Sequence, residues 1–283
     1  NNGVLRATES FSINDPNRGI EIRGNTNLPA FVSSGGIFEV MPDVTLEISN
    51  RITGTGQLGK IGDGTLILSS LTNTYSGGTV IAGGTLGIRD ERNLGTNPVY
   101  YAGNLTISNG GILRALATLS IDNPNKSIAI GAGGGGFEVD PTFTLTLSSN
   151  LVADNLVTKY GTGRLNVYGS SNVFTGVRVD NGTLIFHDAT DDQTRIIGDL
   201  VFNVDTNAQI STYHQVTRGD FSVSGNIVIN EGRERPADTD SSLFKLVATT
   251  NDFGPVGMVP TIDGLGVWER MWFGTLADGA DGV

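Results

Sequence analysis

Cysteine is absent from the 283 residues, which excludes disulfides, thiol catalysis and cysteine metal sites. Histidine is nearly absent as well, because only His187 and His214 occur, and this excludes a histidine-rich metal site. Basic residues are scarce: 18 Lys and Arg stand against 29 Asp and Glu, a formal charge of −11. Nucleic-acid binders need clustered Lys and Arg, so no nucleic-acid partner is expected. No run of about 18 apolar residues occurs, so no membrane-spanning segment is predicted.

Glycine, in contrast, is abundant at 40 residues, about twice its usual share. It follows no collagen-like period of three, so we assign it to turns. Between the glycines lie short segments rich in β-forming residues, such as Thr45–Ile48 and Thr65–Leu68. No helical stripe is found. The sequence therefore predicts an all-β fold, with a sandwich, a barrel and a parallel β-helix as the competing architectures.

Long stretches of the chain are repeated. Residues 2–22 return at 110–130, and residues 38–40 return at 137–139. The structural repeat positions are Lys60, Gly62, Gly64, Leu66, Asn73 and Tyr75, which recur as Lys159, Gly161, Gly163, Leu165, Asn172 and Phe174. Long units of this kind favour a solenoid, because each unit can stack on its copy. We therefore favour a parallel β-helix with inward side chains stacked like on like.

The repeats also predict the organisation of the chain. The β-helix is expected over residues 1–230, with units at about 1–108 and 109–197 and a partial third unit at 198–230. Residues 231–241 are polar and contain proline, which predicts a surface loop. Residues 242–283 are predicted to form a β-rich closing segment, with Trp268, Trp272 and Phe273 as candidates for an end cap or an interface.

Residues 54–88 closely resemble the autotransporter-associated (passenger-associated) β-strand repeat. The resemblance lies in a Gly-rich start with Leu58 and Lys60, in the Thr65–Leu68 strand, in Asn73 and Tyr75, and in the final Gly83–Leu86 segment. The copy at 153–186 is degraded, since Ala153 and Asn155 replace two glycines. The resemblance implies a right-handed parallel β-helix in a secreted or surface-exposed protein of a Gram-negative bacterium. It also implies relatives that act mainly as adhesins, self-association factors and surface scaffolds.

Several residues were weighed as chemical sites. Gly54, Gly56 and Gly59 spell a G-x-G-x-x-G motif, but the following Gly62 and Gly64 do not suit the helix that a phosphate loop needs. Glu39 and Glu138 each lie between Phe and Val, so strand alternation predicts outward carboxylates, with paired-carboxylate catalysis as the alternative.

The remaining candidates are also assigned to the surface. Lys60, Lys159, Arg6 and Arg114 are interpreted as outer-face charges, with binding of anionic glycans as the alternative. The two histidines lack a nearby serine motif and are expected to be surface residues. Calcium binding was considered for Asp188, Asp191, Asp192 and Asp205, but the glycine-rich calcium repeat is missing. No catalytic residue, metal or cofactor is therefore predicted.

The favoured function is a non-enzymatic extracellular or cell-surface protein that acts in surface structure and in adhesion or self-association. Its partners would be copies of itself or surface glycans and proteins of a cell. One alternative is a fibre subunit that assembles head to tail through the ends of the β-helix. The other is a polysaccharide lyase or hydrolase on the same fold.

Overall fold

The computed structural model describes residues 3–24, 35–100, 102–149, 151–168 and 171–187, and beyond these only separate strands between residues 193 and 263. The chain is built from short parallel strands that form a solenoid of about seven turns, which confirms the predicted parallel β-helix. The sandwich and barrel alternatives are wrong, because the strands that the structure describes all pair in parallel.

Three ladders of paired strands define three faces of the solenoid. The first face consists of β1 (Gly3–Ala7), β4 (Gly35–Val40), β7 (Gln57–Ile61), β9 (Thr79–Ala82), β11 (Leu105–Ser108), β14 (Ile128–Ile130), β21 (Gln193–Ile196) and β24 (Asp220–Val223), together with the first parts of β17 (Leu151–Tyr160) and β19 (Ser171–Val179).

The second face consists of β2 (Phe11–Ile13), β5 (Thr45–Ile48), β8 (Thr65–Leu68), β10 (Thr85–Ile88), β12 (Gly111–Ala115), β15 (Gly135–Val139), the second parts of β17 and β19, β22 (Leu200–Val204), β25 (Ile227–Glu231) and β27 (Thr261–Asp263). The third face follows the second in each winding. It consists of the pair β3 (Ile20–Glu21) and β6 (Ile52–Thr53), and later of β13 (Leu119–Ile121), β16 (Thr144–Leu147), β18 (Arg164–Tyr168), β20 (Thr183–His187), β23 (Thr212–Val216) and β26 (Phe244–Ala248).

The interior is filled by columns of like side chains. On the second face Leu46, Leu66, Leu86 and Leu113 are successive Cα partners, and all four are fully buried. Such columns form because parallel strands lie about 4.8 Å apart, so the same inward position recurs directly above itself. Each buried Leu contributes about 1.5–3 kcal/mol. The predicted stacking of like on like is confirmed on this face.

A short 3₁₀-helix, η1 (Glu91–Leu94), interrupts the strands at the junction between the two long units. Asp90 caps it through its side chain, which accepts from the backbone amide of Arg92, and the Asn93 side chain accepts from the amide of Asp90. This helix was not predicted. Its signal was present in the Asp-x-x-Asn spacing, which forms a capping box, and in the Gly95 that ends it.

The two long units do not lie in the same orientation. In the first unit, the first-face ladder runs from β1 through β4, β7 and β9 to β11. The strand of the second unit that corresponds to β1 in the repeat is β12, and β12 lies on the second face. The second copy is therefore turned by one face about the solenoid axis. The prediction that a unit stacks on its own copy is wrong in this respect, because strands pair mainly within their own unit and the two units meet at the junction, where β10 pairs with β12 and β11 with β14.

The predicted domain boundaries stay predictions. Residues 231–241 and 242–283 lie almost entirely outside the described residues, apart from Glu231, β26 and β27.

Candidate functional site

Lys60 lies at an inward position of β7, in the column between Phe38 and Ile81, and its side chain is fully buried. Its ammonium reaches the corner between the first and second faces. There it donates to the carbonyls of Ile61 at 3.1 Å, Gly62 at 2.7 Å and Gly83 at 3.2 Å. The ammonium has three N–H donors, and each finds one acceptor. Burial lowers the pKa of Lys60 to about 8, and the charge of Asp63 opposes this shift.

Lys159 repeats the arrangement in the second unit. Its ammonium donates to the carbonyls of Tyr160 at 2.6 Å, Gly161 at 2.7 Å and Asn181 at 3.2 Å. Burial lowers its pKa to about 7, and the charge of Glu138 opposes this shift. Each unit therefore closes one corner with the same cage of carbonyl oxygens, although Lys60 lies on the first face and Lys159 on the second.

The interpretation of Lys60 and Lys159 as outer-face charges is wrong. Alternation along β7 puts Lys60 on the same side as the buried Leu58, and this signal was available in the sequence. Lys126 is also buried, so all three lysines of the described residues lie in the interior, and Lys245 is the fourth lysine of the chain. Lysine is almost never fully buried unless it is paired. The carbonyl cages supply that pairing.

The repeat glycines Gly62, Gly64, Gly161 and Gly163 form the turns beside these cages. Gly62 and Gly161 adopt φ of 77° and 71°, a conformation that favours glycine. A Cβ on Gly64 would lie 2.1 Å from the Met41 carbonyl oxygen. A Cβ on Gly163 would meet the Asp140 carbonyl oxygen at 2.4 Å. These positions are fixed by the close approach of the preceding winding. The G-x-G-x-x-G motif just before them leads into a strand, β7, and not into a helix.

Asn73 joins three consecutive windings. Its side-chain oxygen accepts from the amide of Ile52 at 2.8 Å, and its side-chain nitrogen donates to the carbonyl of Asn93 at 2.9 Å. Its equivalent Asn172 accepts from the amide of Leu151 at 3.3 Å. At both repeat positions the asparagine oxygen therefore accepts from an amide of the preceding winding.

The aromatic repeat position is buried in both units. The Tyr75 hydroxyl bonds the Thr79 hydroxyl at 2.8 Å. Phe174 has no hydroxyl, and its ring packs edge-on against Phe186 with centroids 5.5 Å apart. Leu165 stacks between Leu145 and Leu184 on the third face. These residues build the interior and leave the outer surface to other side chains.

The first face carries an uncharged outer column. Successive Cα partners along it are small, apolar or hydroxyl-bearing, and they are half-buried or exposed: Val4, Ile37, Gly59, Val80, Thr106, Ala129, Val152 and Val173. Val4 and Val152 are 55% and 47% exposed. We call this set the first-face column. It offers a contact surface that extends over successive windings.

The charged pairs lie on the outside and cross from one winding to the next. Arg6 on β1 contacts its Cα partner Glu39 on β4 at 2.6 Å. Arg114 on β12 faces Glu138 at 3.7 Å and contacts Asp140 at 2.7 Å. The prediction that Glu39 and Glu138 point outward is confirmed, as is the surface position of both arginines. Each arginine is paired with a carboxylate, so these two do not form a free cationic ladder.

A surface cavity of about 220 Å³ lies at the junction between the two units. It is lined by Glu91, Arg92, Gly95, Thr96, Asn97, Pro98, Asn123 and Lys126. The Lys126 ammonium donates to the carbonyls of Glu91 at 3.3 Å and Gly95 at 3.4 Å, and it lies 3.5 Å from the Glu91 carboxylate. The backbone amide of Asn123 donates to the same carboxylate at 3.1 Å.

The electrostatics of this cavity are set by burial. Burial raises the pKa of the Glu91 carboxyl, and the opposing charge of Lys126 limits the rise. Burial also lowers the pKa of Lys126, against the charge of Glu91. None of the residues that line this cavity was singled out from the sequence, because they come from segments with no repeated motif.

Some sequence-based candidates fall outside the described residues: Trp268, Trp272, Phe273, Asp188, Asp191, Asp192 and Asp205. The same holds for the side chains of His187 and His214. Among the residues that the structure describes, no group of three or more His, Cys, Asp or Glu is placed to hold a metal ion. Nor does any helix in the described part have the length and apolar character needed to cross a membrane.

Comparison with known proteins gives two matches. Residues 58–88 and 157–186 match the family model of the passenger-associated-transport repeat. Over 239 residues, or 82% of this chain, the sequence is 34% identical to the adhesin BmaC autotransporter of Brucella suis biovar 1 (strain 1330). This chain spans only 6% of the length of that relative. No solved structure matches the chain significantly.

Proposed function

This chain carries the passenger-associated-transport repeats of autotransporter passengers, and we propose that it is an adhesive segment that acts without catalysis. The protein is secreted and belongs to the cell surface. The observation that carries the proposal is the similarity to an autotransporter adhesin along 82% of the chain.

The architecture supports adhesion through the sides of the solenoid. The interior is occupied by the chain's own columns of side chains, so contacts with another surface have to be made by the outer positions. The first-face column runs across successive windings from Val4 to Val173 without a charged member. On the second face Thr45, Thr65 and Thr85 form a row of paired outer positions. Weak contacts repeated along such surfaces add up by multivalency.

The positions of the carboxylates support a role without catalysis. Glu39 lies on β4 of the first face and Glu138 on β15 of the second. Paired-carboxylate hydrolysis needs the two groups about 5–10 Å apart across one substrate. Carboxylates on different faces, each next to an arginine, do not meet that requirement.

Binding of the purified chain to immobilised epithelial cells tests the proposal. We expect saturable binding, and we expect the double variant Val80→Glu with Val152→Glu to bind at least about tenfold more weakly, because two charges would be desolvated in an apolar contact. Thr146→Glu, on the third face, is the matched control and should bind like the unchanged chain. Absence of saturable binding by the unchanged chain would refute the adhesive role.

Self-association stays a prediction with its own measurement. Light scattering at rising concentration separates it from adhesion to other surfaces. A strict monomer that still binds cells would leave the adhesive role intact and remove the fibre alternative.

A further inference from the structure

The junction cavity contains a buried donor without a partner. Asn97 is only 4% exposed, and its side-chain nitrogen Nδ2 donates to no atom among the described residues. A buried amide without a hydrogen bond costs about 1–3 kcal/mol, and such groups are rare in folded proteins. Asn97 lines the cavity, and a turn of its amide toward the cavity would let Nδ2 donate to an acceptor oxygen of a molecule bound there.

The cations beside the cavity are already neutralised. Arg92 forms a two-point pair with Asp90, with Nε to Oδ1 at 2.8 Å and Nη2 to Oδ2 at 2.9 Å. Lys126 is held by two carbonyls and faces the Glu91 carboxylate. An anionic ligand would find no unpaired cation here and would approach Glu91. The cavity therefore favours a neutral ligand.

The remaining polar groups need a ligand that both accepts and donates. Asn97 Nδ2 requires an acceptor, whereas the Glu91 carboxylate accepts from the backbone amides of Asn123 and Asp122 and, with about four acceptor sites, has capacity for more. A hydroxyl group is a donor and an acceptor at once. A ligand with several neighbouring hydroxyls satisfies both sides, and a volume of about 220 Å³ admits one sugar ring.

We propose that the junction cavity binds a single neutral sugar ring, such as the terminal residue of a cell-surface glycan, with Asn97 as donor and Glu91 as acceptor. This inference rests on the proposed adhesive function and names one class of partner for it. The site occurs once in the described chain, at the junction of the two units, because the 3₁₀-helix and the segment that follows it have no counterpart in the repeat motif. It therefore differs from the extended contacts of the first-face column.

Saturation-transfer NMR on the purified chain tests the site with four probes: the methyl glycosides of glucose, galactose, mannose and N-acetylglucosamine. We expect signal from at least one probe at millimolar concentration. The variant Asn97→Leu should weaken that binding at least about tenfold, because it removes the donor and fills the cavity. The matched control is Asn166→Leu on β18, which replaces another asparagine with an unpaired buried side-chain atom, on the third face. It should keep the affinity of the unchanged chain.

A loss of sugar binding in these variants would not be caused by unfolding. Replacing an unpaired buried amide by an apolar group is close to neutral for stability, so both variants should unfold at the temperature of the unchanged chain. No signal from any of the four probes would overturn the sugar site, as would equal binding by Asn97→Leu. The cell-binding assay with first-face variants is independent of the cavity. Adhesion without sugar signal would remove this inference alone, and sugar signal without adhesion would remove the proposed function alone.

Discussion

Lys60 and Lys159 occupy the same position of the repeat and make the same cage of three carbonyls, yet they lie on different faces of the solenoid. The cage is therefore a property of the corner that each repeat builds and does not depend on which face precedes it. A corner that ends in inward-pointing carbonyls needs donors, and a lysine from the adjacent inward column supplies three of them.

We first expect the buried lysines to be protected from chemical modification in the folded chain. Lys60, Lys126 and Lys159 are each at most 2% exposed, so an acetylating reagent should modify them far more slowly in the folded chain than in denaturant. Mass spectrometry of timed digests measures the modification at each residue. The rate of each lysine in denaturant serves as its own reference. Rapid native acetylation of Lys60 and Lys159 would show that the cages do not exist.

Stability should depend on pH through Lys159. Burial lowers its pKa to about 7 from 10.5, so between these values the unfolded chain holds a proton that the folded chain has released. The free energy of unfolding should therefore rise with pH across that window, and Lys60 should add to the rise above about pH 8. Below the window the penalty for the buried charge is constant.

The variant Lys159→Met isolates this effect, because it keeps an unbranched side chain only one atom shorter and removes the titrating group. Urea unfolding at a series of pH values should show a shallower rise for the variant than for the unchanged chain. An identical pH dependence in both proteins would mean that Lys159 is not the group responsible.

Gly64→Ala should destabilise the solenoid strongly. The added Cβ would lie 2.1 Å from the Met41 carbonyl oxygen and 2.7 Å from that of Val44, and neither backbone atom can move freely. We expect a loss of about 3 kcal/mol or more in the free energy of unfolding, measured by urea titration. Gly59→Ala is the control in the same winding. Its Cβ would come no closer than 3.4 Å to any atom, the nearest being in the Ile37 side chain, and the change should stay within about 1 kcal/mol. Equal effects of the two substitutions would contradict the close approach of the windings.

Asn73→Ala should uncouple neighbouring windings. It leaves the amide of Ile52 and the carbonyl of Asn93 without their side-chain partner, at a cost of about 2–4 kcal/mol. Asn17→Ala, at an exposed position, should change stability by less than about 0.5 kcal/mol. Chemical denaturation of the three proteins under one set of conditions gives the comparison. A loss at Asn73 no larger than that at Asn17 would show that the asparagine does not hold the windings together.

The fold class was predictable from the sequence because its signals are local. Short strands bounded by glycine, and motifs such as Thr65–Leu68 that return at a fixed distance, report the strand period and the repeat directly. The buried Leu66 and Leu165 and the turn glycines were identified for the same reason. Their environment is set by the winding that contains them and by the one next to it.

The burial of the lysines was missed because charge was given more weight than alternation. Lys60 lies two residues after the buried Leu58 on one strand, and its position in the interior depends on carbonyls from the next winding. The face change and the junction cavity could not be predicted. They depend on how many strands each unit contains and on contacts between Glu91 and Lys126, which are 35 residues apart in the chain.

Cross-linking of paired cysteines tests the central claim, the turn of one face between the units, most directly, since the chain has no cysteine of its own. In the structure Thr85 on β10 is the Cα partner of Ile112 on β12. Thr85→Cys combined with Ile112→Cys should therefore form a disulfide readily under mild oxidation, because parallel neighbours lie within disulfide range. If the second unit instead stacked on the first without the turn, β10 would pair with β13. A disulfide from Thr85→Cys with Thr118→Cys, the residue that corresponds to Ser10 beside Thr45 in the first unit, and none from the first pair, would contradict the structure.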